Sequence, residues 1–177
     1  MSALDCLMQT AEYAAKKHRD QRRKDPEQTP YINHPLGVTR LLTSAGVSHI
    51  PTLQAALLHD TVEDTDTTIS ELENVFGSKV ATIVQECTDR KDLPKAERKR
   101  QQILAAPTAS LEAKQVKLAD KLYNLRDLLR VLPTGWTEKR RIEYFKWAKK
   151  VTDGCQGACP PLEEELSQLY LEVLGPS

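Results

Sequence analysis

The chain has 177 residues, enough for one domain with a sizeable core, and its 25 basic and 25 acidic residues cancel to a formal charge of zero. That balance excludes the global pull that carries proteins to nucleic acid or anionic membranes, and only 5% of the residues are aromatic. No run is apolar enough to span a bilayer or to read as a secretory leader. The four cysteines, Cys6, Cys87, Cys155 and Cys159, lack the paired spacing of a zinc knuckle and read as reduced thiols of a cytoplasmic protein.

Helical periodicity dominates, with no convincing alternating strand. The spacing predicts a first helix over about 2–18, with Leu4, Leu7, Met8, Ala11, Ala14 and Ala15 inward. A polar loop follows through Asp25-Pro26 and Thr29-Pro30, and Pro35 is placed to open a second helix carrying Leu36, Val38, Leu41 and Leu42. Pro51 opens a third helix, which runs on through the octet Leu57-Leu58-His59-Asp60-Thr61-Val62-Glu63-Asp64. Thr68-Ile69-Ser70-Glu71 is a capping box starting a short helix that Gly77 ends, and residues 78–87 form another. Pro94 begins a charged, exposed helix reaching Ala105. Residues 110–130 read as a long helix, with Leu118, Leu122, Leu125 and Leu129 on one side and Lys117, Asp120, Asn124 and Asp127 on the other. Helices over 137–152 and 161–174 complete the prediction: an all-α bundle, one compact domain over 1–177, without repeat or linker.

Overall neutrality hides local charge. Between Lys16 and Lys24 stand Lys16, Lys17, Arg19, Arg22, Arg23 and Lys24 against the single acid Asp20, and Lys95, Arg98, Lys99 and Arg100 form a second basic group. Acids concentrate between Asp60 and Glu73. A carboxylate-rich centre with basic flanks suits a metal acting on a polyanionic small molecule; solvated helix faces account for many of the same charges.

The octet is the densest signal. Four ionisable groups in six residues are expensive on an apolar helix unless a cation or a reaction compensates them, the plain alternative being a helix end with a solvated acidic turn. In helical geometry His59 and Glu63 share one face and Asp60 and Asp64 the next. Imidazole and carboxylate are ligands for divalent metals, and acids one turn on can handle the water. His34 sits at a loop-to-helix junction stiffened by Pro35. Asp120 lies mid-helix beside a leucine stripe, which marks it as a ligand, a buried ion-pair partner or a surface residue. His18 and His49 lie outside these clusters and take no metal role.

Together His34, His59-Asp60 and Asp120 make the H…HD…D pattern of the HD-domain metal phosphohydrolases. The surrounding words go further. Arg22-Arg23-Lys24 ahead of Pro30-Tyr31-Ile32-Asn33-His34-Pro35, the octet, and Lys117-Leu118-Ala119-Asp120-Lys121-Leu122-Tyr123-Asn124-Leu125-Arg126 resemble the hydrolase domain of the RelA/SpoT alarmone enzymes, most closely the stand-alone metazoan SpoT homologues. The resemblance spans about residues 10–155.

What it implies is an all-α HD-domain hydrolase, with its core motifs over about 18–145, that removes the 3′-pyrophosphate of guanosine 3′,5′-bis(diphosphate). One Mn²⁺ per chain would be held by His34, His59, Asp60 and Asp120. Glu63 and Asp64 match the family's catalytic dyad. Asn124, Arg23 and Lys24 match nucleotide contacts, and Lys95, Arg140 and Tyr144 are added as candidate substrate contacts from their charge and position, with Trp136 beside them as a wall or a core anchor. The implied partner is a small phosphorylated nucleotide, without nucleic acid, membrane or obligate protein partner. A chain of this length has no room for a synthetase domain. Cys87-Thr88-Asp89-Arg90-Lys91 departs from the family's VTDDK-like element by Cys at its first position and Arg for its second acid. Two rival functions keep the site: NADPH 2′-phosphatase, because a ribose 2′-phosphate offers similar chemistry, and a nucleotide sensor that binds without turnover.

Overall fold

The computed structural model describes residues 2–176, leaving Met1 and Ser177 outside; ten α-helices are joined by short turns, and the pairing nearest to a strand among these residues is an isolated bridge between Arg22 and Pro30. In chain order the helices are α1 (Ala3–Lys17), α2 (Asn33–Ser44), α3 (Ile50–Leu58), α4 (Thr61–Asp64), α5 (Ile69–Phe76), α6 (Ser78–Cys87), α7 (Lys95–Ala105), α8 (Leu111–Arg130), α9 (Glu138–Asp153) and α10 (Pro160–Leu174). The all-α expectation holds, and most predicted helix limits fall within a residue or two.

The helices start where side chains cap them. The oxygens of Ser2, Thr68, Ser110 and Thr137 accept the N–H three residues on, at Asp5, Glu71, Ala113 and Arg140. Such caps contribute about 1 kcal/mol each. Helix α8 is the hub, packing on α2, α3, α6, α9 and α10. Leu118, Leu122 and Leu125 are wholly buried on it, against Val38 and Leu42 of α2, Leu58 of α3, Phe145 of α9 and Leu166 of α10 within one contiguous core. Each buried leucine of this kind contributes roughly 1.5–3 kcal/mol. Gly37 lets α2 and α8 approach: a Cβ there would lie 2.0 Å from the Tyr123 ring.

Four details differ from the sequence reading. On α1, Leu4 and Met8 are 70% and 62% exposed, while Thr10, Ala14 and His18 turn inward. The inward face is pinned by Gln54 of α3, which donates to the Thr10 hydroxyl at 3.0 Å. Helix α2 begins at Asn33, two residues before Pro35, which sits in the first turn where its missing N–H is not needed. On α8, Leu128 is buried and Leu129 only partly so.

The fourth difference reaches the site: the octet is not one helix. Helix α3 stops at Leu58, His59 and Asp60 form a turn, and α4 restarts at Thr61. Side chains take the carbonyls that a continuous helix would use. Thr61 Oγ1 donates to Leu58 O at 2.7 Å, and His59 Nδ1 lies 2.7 Å from Ala56 O.

Candidate active site

The four predicted ligands come from three places in the chain, and the fold brings them to one point. His34 occupies the first turn of α2, and its N–H is tied to Tyr31 O at 2.9 Å. His59 and Asp60 sit in the turn between α3 and α4, and Asp120 faces them from the middle of α8. His34 and His59 are both buried. His34 Nε2 lies 3.0 Å from Asp120 Oδ1, 3.4 Å from Asp60 Oδ2 and 3.3 Å from His59 Nε2. His59 Nε2 lies 3.1 Å from Asp60 Oδ2 and 3.5 Å from Asp120 Oδ1. His34, His59 and Asp120 alone bring one donor atom each within 4.8 Å of one another, a potential metal site, which Asp60 closes on the side of both imidazoles.

The chemistry of this set fits a divalent cation. The carbonyl of Ala56 can only accept, so His59 Nδ1 carries the proton of the neutral ring and Nε2 presents a lone pair. Two carboxylate oxygens face it. Without a positive charge at the centre, lone pairs would oppose lone pairs in a buried space. Burial alone would lower the His59 pKa, yet Asp60 and Asp120 raise it well above the ordinary imidazole value; at His34 burial wins and the pKa falls. The two carboxylates thus call for positive charge at the centre, which a divalent cation supplies. Mixed imidazole and carboxylate donors suit Mn²⁺, Fe²⁺, Co²⁺ or Zn²⁺.

Further side chains hold the two carboxylates in place. The Tyr31 hydroxyl donates to Asp60 Oδ2 at 2.6 Å. Lys121 Nζ donates to Asp120 Oδ2 at 2.7 Å, and Asn124 Nδ2 donates to Asp120 Oδ1 at 3.0 Å. Lys121 is buried, with its ammonium 4.9 Å from the Trp147 ring centroid.

Glu63 and Asp64, predicted as a pair, part company. Glu63 lines the same small polar cavity as His34, His59, Asp60 and Asp120, and its Oε1 accepts the backbone N–H of Asp89 at 2.5 Å. Burial pushes its carboxyl up to about 7; the Asp89 N–H opposes this and the carboxylates of Asp89, Asp60 and Asp64 add to it. Asp64 instead lines a neighbouring cavity, where its Oδ2 accepts from Gln21 Nε2 at 3.0 Å. Both lie on α4, where adjacent side chains point about 100° apart, so the two carboxylates enter different cavities.

That neighbouring cavity, of about 300 Å³, shares Tyr31 and Asn124 with the polar one and is walled by Arg23, Lys24, Trp136 and Tyr144. Arg23 Nη2 donates to Asn124 Oδ1 and Asp127 Oδ2, both at 3.0 Å, with its guanidinium 5.6 Å from the Tyr31 ring centroid. The two other sequence-derived substrate contacts, Arg140 and Lys95, do not line it. Arg140 is exposed, with its guanidinium 4.2 Å from the Trp136 ring centroid, and Lys95 is exposed at the start of α7. Burial and the nearby cations Arg140, Lys24 and Arg98 lower the Lys95 pKa, the signature of positive charges gathered together. Tyr144 stacks beside Trp136 and Trp147, and burial pushes its phenol up to about 12.

Sequence reasoning missed Tyr31, Lys121, Gln21 and the Asp89 N–H. Two of these had a signal: Tyr31 lies in the same word as His34, and a mid-helix Asp120 calls for a countercharge such as its neighbour Lys121.

Residues 10–143 match the HD-domain family. Two curated relatives, each called guanosine-3′,5′-bis(diphosphate) 3′-pyrophosphohydrolase MESH1, come from Mus musculus and Homo sapiens. The mouse protein is 63% identical over 94% of this chain and 93% of its own length, and the human protein 61% identical over 93% and 92%. A solved structure described as a metazoan ortholog of SpoT that hydrolyses ppGpp superposes with a TM-score of 0.94 at 49% identity, covering 97% of both chains. With its ligand cluster, its helices and its full-length relatives in agreement, this chain belongs to the HD-domain family, within the MESH1 group.

Proposed function

We propose that this chain is a Mn²⁺-dependent 3′-pyrophosphohydrolase of guanosine 3′,5′-bis(diphosphate), with one ion held by His34, His59, Asp60 and Asp120. The observation that carries the reading is adjacency: the imidazole–carboxylate cluster lies in a cavity that shares Tyr31 and Asn124 with a pocket of cations and aromatic faces. The name carried by the mouse and human relatives supports the choice of substrate.

When bound, the ion supplies Lewis acidity toward the phosphate and makes water there easier to deprotonate. The remaining work falls to side chains. Glu63 accepts the proton of the attacking water, and a carboxyl pushed up to about 7 is matched to that task near neutral pH. The water oxygen bonds to the phosphorus carried on O3′, and the O3′–P bond breaks. Pyrophosphate leaves, and O3′ takes back the proton held by Glu63, so GDP remains. Asp64, which lines the nucleotide cavity beside the cluster, orients the water from that side. Arg23 and Lys24, helped by the exposed Lys95 and Arg140, neutralise the phosphates that stay behind. Tyr144 and Trp136 offer faces to the base, and Asn124 stands between ribose and ligands.

The deciding experiment incubates one purified Mn²⁺-loaded sample with guanosine 3′,5′-bis(diphosphate) and, separately, with NADPH, assaying pyrophosphate and orthophosphate. Pyrophosphate from the first is expected. Orthophosphate from NADPH alone would replace this reading with the 2′-phosphatase one, and binding without either product would leave a sensor. Full activity in metal-stripped protein would remove the metal from the mechanism.

A further inference from the structure

We propose that His18 and Gln21 form a relay that positions Asp64, which makes both of them positioning residues for the reaction; the inference rests on the role given to Asp64 above. His18 ends α1 and is 1% exposed. Its ring packs on Tyr31, centroids 4.9 Å apart, and its Nδ1 lies 2.6 Å from Gln21 Oε1. Gln21 Nε2 in turn donates to Asp64 Oδ2 at 3.0 Å.

The acceptor at the end dictates every orientation before it. A carboxylate has no proton to give, so Gln21 must show its NH₂ to Asp64 and its oxygen to His18. That oxygen can only accept, so His18 Nδ1 carries the proton. Nε2 is buried with no hydrogen-bond partner, and a proton there would be a buried donor with nothing to receive it. The proton on Nδ1 is thereby aimed at Gln21.

Packing alone does not account for these residues. A phenylalanine would cover Tyr31 as well, without leaving a bare nitrogen in the interior. The backbone of Gln21 is pinned on both sides, its N–H to His18 O at 3.0 Å and its carbonyl to Tyr31 N at 3.1 Å. Its amide is therefore a fixed arm reaching from the α1 end to α4. Asp64 sits in a four-residue helix that follows a broken turn, and its own element is a weak anchor for a carboxylate. The relay supplies the missing constraint.

The test compares His18→Phe, Gln21→Ala, the double variant, His18→Asn and Asp64→Ala, each loaded with Mn²⁺, on guanosine 3′,5′-bis(diphosphate). His18→Phe keeps the ring on Tyr31 and removes only the donor; kcat is expected to fall about three- to tenfold, the weight of one hydrogen bond. KM should stay within about twofold, with bound metal and Tm unchanged. Gln21→Ala should cost at least as much, and His18→Phe should cost nothing further on top of it. His18→Asn, which keeps an N–H near Nδ1, should recover part of the loss. Additive losses, or kcat falling in step with metal content, would overturn the relay. If Asp64→Ala turns over at the parental rate, the relay falls together with the role given to Asp64. If Asp64→Ala is slow while His18→Phe and Gln21→Ala are unchanged, the relay falls alone.

Discussion

Replacing Tyr31 with phenylalanine isolates one bond behind the ligand cluster. The ring remains against His18, His34 and Arg23, and only the hydroxyl that donates to Asp60 Oδ2 at 2.6 Å is lost. A hydrogen bond to a charged group contributes about 1.5–3 kcal/mol, which at about 1.4 kcal/mol per decade is roughly a 10- to 100-fold effect. Partners of metal-ligating side chains show losses of the same order, about 10–100-fold in metal affinity. The loss should fall on the metal rather than on the chemistry, because the hydroxyl touches a ligand and Glu63 is held independently by Asp89. Tyr31→Phe should therefore need about 10–100 times more free Mn²⁺ for half-maximal activity and recover near-parental kcat at saturation. A chelator-buffered Mn²⁺ titration of turnover reads both numbers. An unchanged half-maximal concentration, or a kcat that stays depressed at saturating Mn²⁺, would refute the reasoning.

Three further outcomes are expected. His59→Ala should lose metal and activity together, whereas Glu63→Gln should keep the metal and lose turnover by about 100-fold or more; elemental analysis beside a rate assay separates them, and a metal-free Glu63→Gln protein would contradict the division of roles. In metal-stripped protein, the raised Glu63 carboxyl contributes stability below its ordinary value of 4.5 that is lost as pH rises through about 7. The Tm advantage of Glu63→Gln should therefore grow between about pH 5 and 8, and a constant difference would count against it. Gly37→Ala puts a methyl group 2.0 Å from the Tyr123 ring, which stacks on His34 at 4.9 Å and under Arg23 at 5.9 Å. Overpacking of this kind costs about 1–3 kcal/mol, read by urea unfolding, and adding Tyr123→Ala should remove most of the added strain.

What was legible in the chain follows from how local its causes are. The cap at Thr68 and the leucine stripe of α8 act within one or two turns, so their spacing is visible before any folding, and the helix starts read at 110 and 137 fall on residues that the structure shows as caps. The convergence of His34, His59-Asp60 and Asp120 was legible because each lies in its own recognisable word. The break after Leu58 was not, since no Gly or Pro marks it and its causes are Thr61 and His59 side chains turning back onto α3. The pairing of Glu63 with Asp64 came from the family resemblance, which carries residue roles without saying which cavity each carboxylate enters. The exposed Leu4 and Met8 have a similar origin: periodicity shows that a helix has an apolar stripe, while the partners met in the fold decide how much of it is covered. Tyr31, Gln21 and the Asp89 N–H act across 26 to 43 positions of sequence, and no local pattern announces such pairs.

Asn124 is gripped at both ends, its oxygen by Arg23 and its nitrogen by Asp120. A phosphate that draws Arg23 away frees one end of that amide, and a cation that draws Asp120 inward tugs on the other. Under the proposed function the two ligands would act on opposite ends of one amide, and coupled loading is the expected outcome. Whatever factor the ion applies to the dissociation constant of the nucleotide, the nucleotide returns to that of the ion, so the dependence of activity on one must be measured at a stated concentration of the other.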